Sequence, residues 1–472
     1  MPRDLLKHLF HRQPPLAKAA LKGVTDFLRG RQGPLTINHY MWHDWKKTRI
    51  GWLLALAVLV AIGIYIAIDA RKTDVSGKDV VCIPVYGQSL ALGEEAERIT
   101  DFSQLAEQSH DRIVTENIDN KYGYFDGSSL KQYLKRLFHY RKRSFELSVY
   151  GMAESLTQQL GTDTVICTFP GGQGATALAQ LSKGTPPYDR FISDIAKACR
   201  VARKGQCRSF TVPAVCFMQG ESDIADYPDT DYQQLLLRFK DDINRDIKAI
   251  TQQTDDVRII TYQANALSRG QHFQANSYEC VETRVPQTFV HLLLTDTLFW
   301  ASGPTYPYPA VREVVHIDGA SQKQMGCLEA LSALAILRHQ QRITGLLPTA
   351  FEASDSSVTI AFSVPCPPLV FDTVQVSKAP HYGFSVITPD NRDIAAAVIV
   401  DSTSVHIRCS ESPKGCKVRY AVNGDPMKSG NQHGPRGNLR DSQGRYLQAT
   451  IAGQCRPLHN WAFQFDHAVS VP

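Results

Sequence analysis

Three separated segments of this chain carry side chains that together could transfer an acyl group. Ser89 closes the tripeptide Gly87-Gln88-Ser89 directly after the apolar run Val80-Val81-Cys82-Ile83-Pro84-Val85, which delivers its hydroxyl at a strand's carboxyl end. Ligands of open α/β sheets collect there, and the N–H groups of a following helix start face any negative charge that develops. Gln219, in Gln219-Gly220-Glu221, follows a second β-like run from Thr211 to Met218, and its amide is a candidate oxyanion donor. In Glu313-Val314-Val315-His316, a carboxylate three residues before an imidazole can fix one ring tautomer and stabilise the protonated form. Nucleophile Ser89, base His316, orienting acid Glu313 and donor Gln219 form a complete set for attack on a carbonyl. Taken singly, each has a plainer reading: Gly-x-Ser turns are common, and His316 is one of fifteen histidines. Glu221 reads best as an acid at a helix N-terminus, a supporting residue like Gln88.

Other chemistries find less support. The chain has no C-x-x-C pair, no H-E-x-x-H and no Gly-x-x-x-x-Gly-Lys stretch, so zinc hydrolysis and nucleotide-driven catalysis are the poorer readings. No metal or other cofactor is called for.

The elements that must position these residues alternate. Strand-like runs at Val80 to Val85, Thr164 to Thr168, Ala214 to Met218, Val257 to Tyr262 and Phe289 to Leu294 are interleaved with helical patterns. The helices are expected over Ala153 to Leu160, Tyr188 to Lys204, Tyr232 to Gln252 and Ser321 to Gln341, with Leu235, Leu236, Phe239, Ile243 and Ile247 as the clearest apolar stripe. Alternation of this kind predicts a parallel sheet in an α/β domain over residues 75–344. The polar stretch Gly93 to Arg143 suits a substrate-covering insertion as well as a structural loop. From 345 to 472 short β-like segments separated by Pro, Gly, Asn and Asp predict a small β-sandwich-like accessory domain.

Ahead of these domains, Ile50 to Ile68 contains no charged residue. As a helix it would extend about 28 Å, close to a hydrocarbon core of about 30 Å. Residues 1–49 carry ten Lys/Arg against Asp4, Asp26 and Asp44, which predicts a cytoplasmic basic tail and an uncleaved signal anchor at 50–68. The whole chain is +5, so everything beyond the tail is near −2, and no basic face for nucleic acid is implied. All eleven cysteines follow the apolar segment, as in a protein exported to an oxidising compartment. Cys199 with Cys207 and Cys409 with Cys416 are spaced for small-loop disulfides, whereas Cys82 and Cys216 fall in buried strands. With no Asn-x-Ser/Thr sequon, a bacterial periplasm fits better than a eukaryotic lumen.

Four ordered blocks resemble the SGNH (GDSL-type) hydrolases, and within them the sialate O-acetylesterase and carbohydrate esterase family six branch. They are Gly87-Gln88-Ser89-Leu90, Phe169-Pro170-Gly171-Gly172-Gln173-Gly174-Ala175-Thr176, Met218-Gln219-Gly220-Glu221-Ser222-Asp223, and His316. The resemblance implies a three-layer, flavodoxin-like fold, Ser89 as nucleophile and His316 as base. It also implies an oxyanion hole from the Ser89 N–H, the Gly174 N–H and the Gln219 side chain. Glu313 stands where that branch usually has Asp, with Asp318 as a second possible orienter, and Ala175 stands where a second glycine is common. The expectation is a membrane-anchored serine esterase that removes acetyl or other small acyl groups from carbohydrate outside the cytoplasm. Its alternatives are a catalytically silent carbohydrate-binding protein on the same fold and a carbohydrate O-acyltransferase.

Overall fold

The computed structural model describes Trp52, Leu56 and residues 73–100, 107–115, 138–139, 145–226, 230–264, 283–425 and 427–469. The tail at 1–49, Cys280 and nearly all of the apolar segment 50–68 lie outside the described residues. Among the described residues no helix is long and apolar enough to cross a membrane.

The first strand runs Asp79–Cys82, is interrupted at Ile83-Pro84, and resumes as Val85–Gly87. Its neighbours break at the same level, into Thr164–Cys167 and Pro170–Gly172 on one side and Ser209–Thr211 and Ala214–Met218 on the other. Backbone bonds from Ile83 to Cys167, Val85 to Phe169 and Cys216 to Pro84 carry the pairing across the breaks. Arg258–Gln263 and Phe299–Pro304 complete five parallel strands, with Ile113–Thr115 beyond the other edge. Apart from that edge strand, the spatial order by position in the chain is 2-1-3-4-5, the flavodoxin-like arrangement.

Successive strand residues face opposite ways, and this builds three layers. Phe217 packs on Phe239 of helix Tyr232–Thr251, and Tyr86 packs on both Phe239 and Phe191 of helix Pro186–Lys204. Cys216 and Met218 meet Met152 and Ser148 of helix Ser148–Gln159 on the other face. That helix lies against helix Gly319–Leu337 so closely that a side chain at Gly326 would land on the Ser148 carbonyl.

Two expectations are corrected. The run Phe289 to Leu294 is not a strand but part of helix Arg284–Thr295, with Val285, Phe289, Leu292 and Leu293 buried at helical spacing and His291 and Leu294 exposed. The fifth strand is Phe299–Pro304, just after it. The spaced cysteines are present as thiols. Burial raises Cys199, Cys207, Cys409 and Cys416 above the usual thiol range, which keeps them protonated and poor nucleophiles.

The C-terminal region is β-rich as expected, with the sheet Leu347–Ala353, Ser357–Ser363, Ser404–Cys409 and Ala395–Val400 beside Phe384–Ile387, Lys417–Tyr420 and Phe465–Ala468. It does not stand apart from the α/β layers. Lys72–Pro472 forms one compact unit, and Phe463 is buried in the core of the parallel-sheet domain.

Candidate active site

Three strands end so close together that side chains are excluded between them. A Cβ at Gly87 would land on the Met218 carbonyl, and one at Gly172, whose φ is +111°, would land on the Gly87 carbonyl. Gln88 N–H donates to Met218 O at 3.0 Å and Gln173 N–H to Gly87 O at 3.0 Å. The three chain segments that follow therefore leave the sheet side by side.

Ser89 opens the 3₁₀ helix Ser89–Leu92, anchored by buried Leu90, Ala91 and Leu92. As the first residue of that turn its N–H has no helical acceptor. Gly174 lies against it: a Cβ on Gly174 would sit 3.8 Å from Ser89 Cβ. Both residues are partly exposed, and among the described residues neither N–H donates to a backbone carbonyl. Two N–H groups beside the serine thus have no backbone acceptor, an arrangement that can receive an oxyanion.

The Gln219 side chain has a different task in this state. The residue is fully buried, its Oε1 accepts from Tyr232 Oη at 2.8 Å, and its Nε2 donates to Asp223 at 2.5 Å. The second Nε2 hydrogen has only the Thr176 carbonyl at 3.3 Å and Gln88 Oε1 at 3.4 Å. An amide with no exposed surface offers no donor to a ligand, so Gln219 braces the floor of the site. Asp223 completes the brace by accepting from Leu178 N–H at 2.9 Å, which ties the glycine turn to the Gln219 segment. Gln88, also buried, accepts from Ser222 N–H at 3.2 Å. Glu221 begins helix Glu221–Asp226 and is held by Tyr262 Oη at 2.7 and 2.5 Å. Burial lifts its carboxyl to about 7 against the pull of that phenol, in keeping with its reading as support.

His316 is presented by a closed loop, with Ala310 paired to Ile317 and Val311 N–H donating to His316 O at 2.7 Å. The helix behind it is fastened to the serine segment, because Gln322 Nε2 donates to Leu90 O at 3.0 Å. His316 Nδ1 lies 2.8 Å from Glu95 Oε2, and Arg312 pairs with the other oxygen of Glu95. A carboxylate on Nδ1 makes that nitrogen the donor and leaves Nε2 as the basic one. Among the described residues Nε2 has no partner, and neither has Ser89 Oγ. Burial, helped by Arg312 and opposed by Glu94, holds the His316 ring below its ordinary pKa.

The carboxylate that meets the His316 ring is therefore Glu95, not the Glu313 expected from the sequence. Glu313 turns away: one carboxylate oxygen accepts from Lys428 Nζ at 2.9 Å and the other is bound by His433. Both Arg312 and Glu313 have positive φ, 53° and 55°, so the three-residue spacing does not put the carboxylate behind the ring. Asp318 is not the orienter either, since it caps helix Gly319–Leu337 by accepting from Ser321 N–H at 2.7 Å. Nothing in the sequence singled out Glu95, which lies 221 residues from His316 in a polar stretch without periodicity. Asp223 had a signal, its i,i+4 spacing from Gln219, though it reads as a loop residue from sequence alone.

Residues 143–335 match the carbohydrate esterase family described as sialic acid-specific acetylesterase. The matched span holds Gly174, Gln219, Glu313 and His316, and begins after Ser89 and Glu95. Among solved structures, a carbohydrate acetylesterase from Xanthomonas citri is similar, with 14% identity and a TM-score of 0.51 over 83% of this chain and 80% of that one. A protein from Arabidopsis thaliana, 17% identical, covers 55% of this chain and 98% of its own with a TM-score of 0.39. At this identity the first likeness speaks for the fold alone. No curated protein matches the chain.

Proposed function

We propose that this chain removes acetyl groups from a carbohydrate by serine catalysis, a carboxylic-ester hydrolysis supported by the match of residues 143–335 to the sialic acid-specific acetylesterase family of carbohydrate esterases. The observation that carries the reading is an imidazole held by Glu95, just before a helix fastened to a serine turn that offers two unengaged N–H groups.

His316 Nε2 takes the proton of Ser89 Oγ as that oxygen attacks the ester carbonyl, while Glu95 balances the imidazolium through Nδ1. The tetrahedral oxyanion is received by the Ser89 and Gly174 N–H groups, and the same proton passes to the departing sugar oxygen. A water, deprotonated in turn by His316, then releases acetate from Ser89. Apo catalytic hydrogen bonds are commonly long and tighten with substrate bound, which accommodates a serine hydroxyl without a partner here. Residues 50–68 act as a membrane anchor and hold the esterase outside the cytoplasm; the support is the uncharged run and the basic tail before it.

The purified chain should hydrolyse para-nitrophenyl acetate, and Ser89→Ala should lower kcat by at least about a thousandfold. Equal turnover by the two proteins would refute the mechanism. Acetate release from a panel of acetylated polysaccharides then identifies the sugar.

A further inference from the structure

The residue that sequence assigned to the histidine is instead gripped by the β-rich region. We propose that the C-terminal β module is a working part of the active site, with Lys428 and His433 acting through Glu313 and Arg312 to position His316. This rests on the reading of His316 as the general base.

The loop from Ala310 to Ile317 is closed at its base and carries Arg312 and Glu313 at its tip, both in the left-handed region that non-glycine residues enter only at a steric cost. Such a turn persists only where its surroundings hold it. The hold comes from residues 428–433. Lys428 and His433 take the two Glu313 carboxylate oxygens, and Ser429 N–H donates to Glu313 O at 2.9 Å. Gly430, with φ +84°, sits so close to the base of the loop that a Cβ there would meet Ala310 N at 2.7 Å. With Glu313 fixed outward, Arg312 is left facing Glu95, and Glu95 holds His316 Nδ1. The contacts thus run without a break from the β module to the imidazole. The charged groups around that ring are Glu94 and Glu95 from the segment after Ser89 and Arg312 from its own loop, with Asp318 engaged at the helix cap.

The test uses the full chain with Lys428→Ala/His433→Ala. Releasing Glu313 lets Arg312 leave Glu95, so kcat should fall about tenfold with KM little changed. The acid limb of the pH profile should move upward, because Arg312 no longer opposes protonation of His316. Lys428→Arg, which keeps a cation over Glu313, should retain wild-type kcat and pH profile. Imidazole NMR reads the same event without turnover: the His316 titration midpoint should rise in the double variant and its single Nδ1–H tautomer should become mixed. Unchanged His316 signals in a folded double variant would overturn the proposal whatever the activity does. Wild type and Ser89→Ala assayed alongside separate that result from failure of the esterase reading, which equal turnover would signal.

Discussion

At the scale of single residues, the site separates groups that meet substrate from groups that hold them. If Glu95 orients His316, Glu95→Gln loses the charge behind Nδ1 and should lower kcat by about a hundredfold or more. Asp318→Asn keeps a good helix cap and should change kcat by less than about twofold. The reverse ranking, measured on para-nitrophenyl acetate, would return the orienting role to Asp318. His316 sits below its ordinary pKa of 6.5 through burial and Arg312, so its basic form persists further into acid than that of a free imidazole. The acid limb of kcat/KM should therefore have its midpoint below 6.5, and a midpoint at or above it would argue for a different base. Ser89 and Gly174 were legible as candidates because each follows a strand at a glycine-containing motif, and His316, which lies on a loop, because of the acidic residue close before it. Glu95 was not, because its partner is brought to it only by tertiary structure.

At the scale of elements, tight backbones decide what can be changed. Ala175 occupies the left-handed region at φ 51° on an exposed turn beside Gly174, where glycine pays no steric cost. Ala175→Gly should stabilise the protein by about 0.5–1 kcal/mol after the greater flexibility of the unfolded chain is counted, read as a small rise in Tm. Glu329 is buried on helix Gly319–Leu337, and its Oε2 has no partner among the described residues. Burial outweighs bonds from Ser148 and Cys216 and lifts it from 4.5 to about 7. A carboxyl raised in the folded state gives stability that is full below 4.5 and is lost as pH rises through about 7. Glu329→Gln does not titrate, so its stability relative to wild type should grow between pH 5 and 8 by on the order of 2–3 kcal/mol, with histidine contributions common to both proteins cancelling. Denaturant titrations at the two pH values check the sign. Period also explains what the sequence hid: Ala214–Met218 was legible as an apolar run, but Phe289 to Leu294 is equally apolar and is helical, because its neighbours at Val285 and Pro286 extend the buried stripe beyond strand length.

At the scale of the whole molecule, the boundary expected at 344/345 marks a change of architecture without a break in the core. The β-rich segments were readable from their turn residues, but their return to the parallel sheet was not, because it depends on polar groups meeting far apart in the chain. Gln263, at the end of the fourth strand, is fully buried and pairs with the backbone of Gln464: its Oε1 accepts the Gln464 N–H at 2.7 Å and its Nε2 donates to Gln464 O at 2.8 Å. The same Nε2 donates to Pro286 O at 3.1 Å. A glutamine side chain here stands in for a strand partner, and it seats Phe463 in the α/β core. Gln263→Leu is close in volume yet strands a buried N–H and a buried carbonyl of Gln464, each costing about 1–3 kcal/mol, so a loss of roughly 3 kcal/mol is expected. Because those groups join the two halves, the loss should appear as one earlier urea transition in which near-UV circular dichroism and esterase activity disappear together. Two separated transitions, with activity lost in only one, would mean that the halves fold independently and that the Gln263–Gln464 contact merely rests between them.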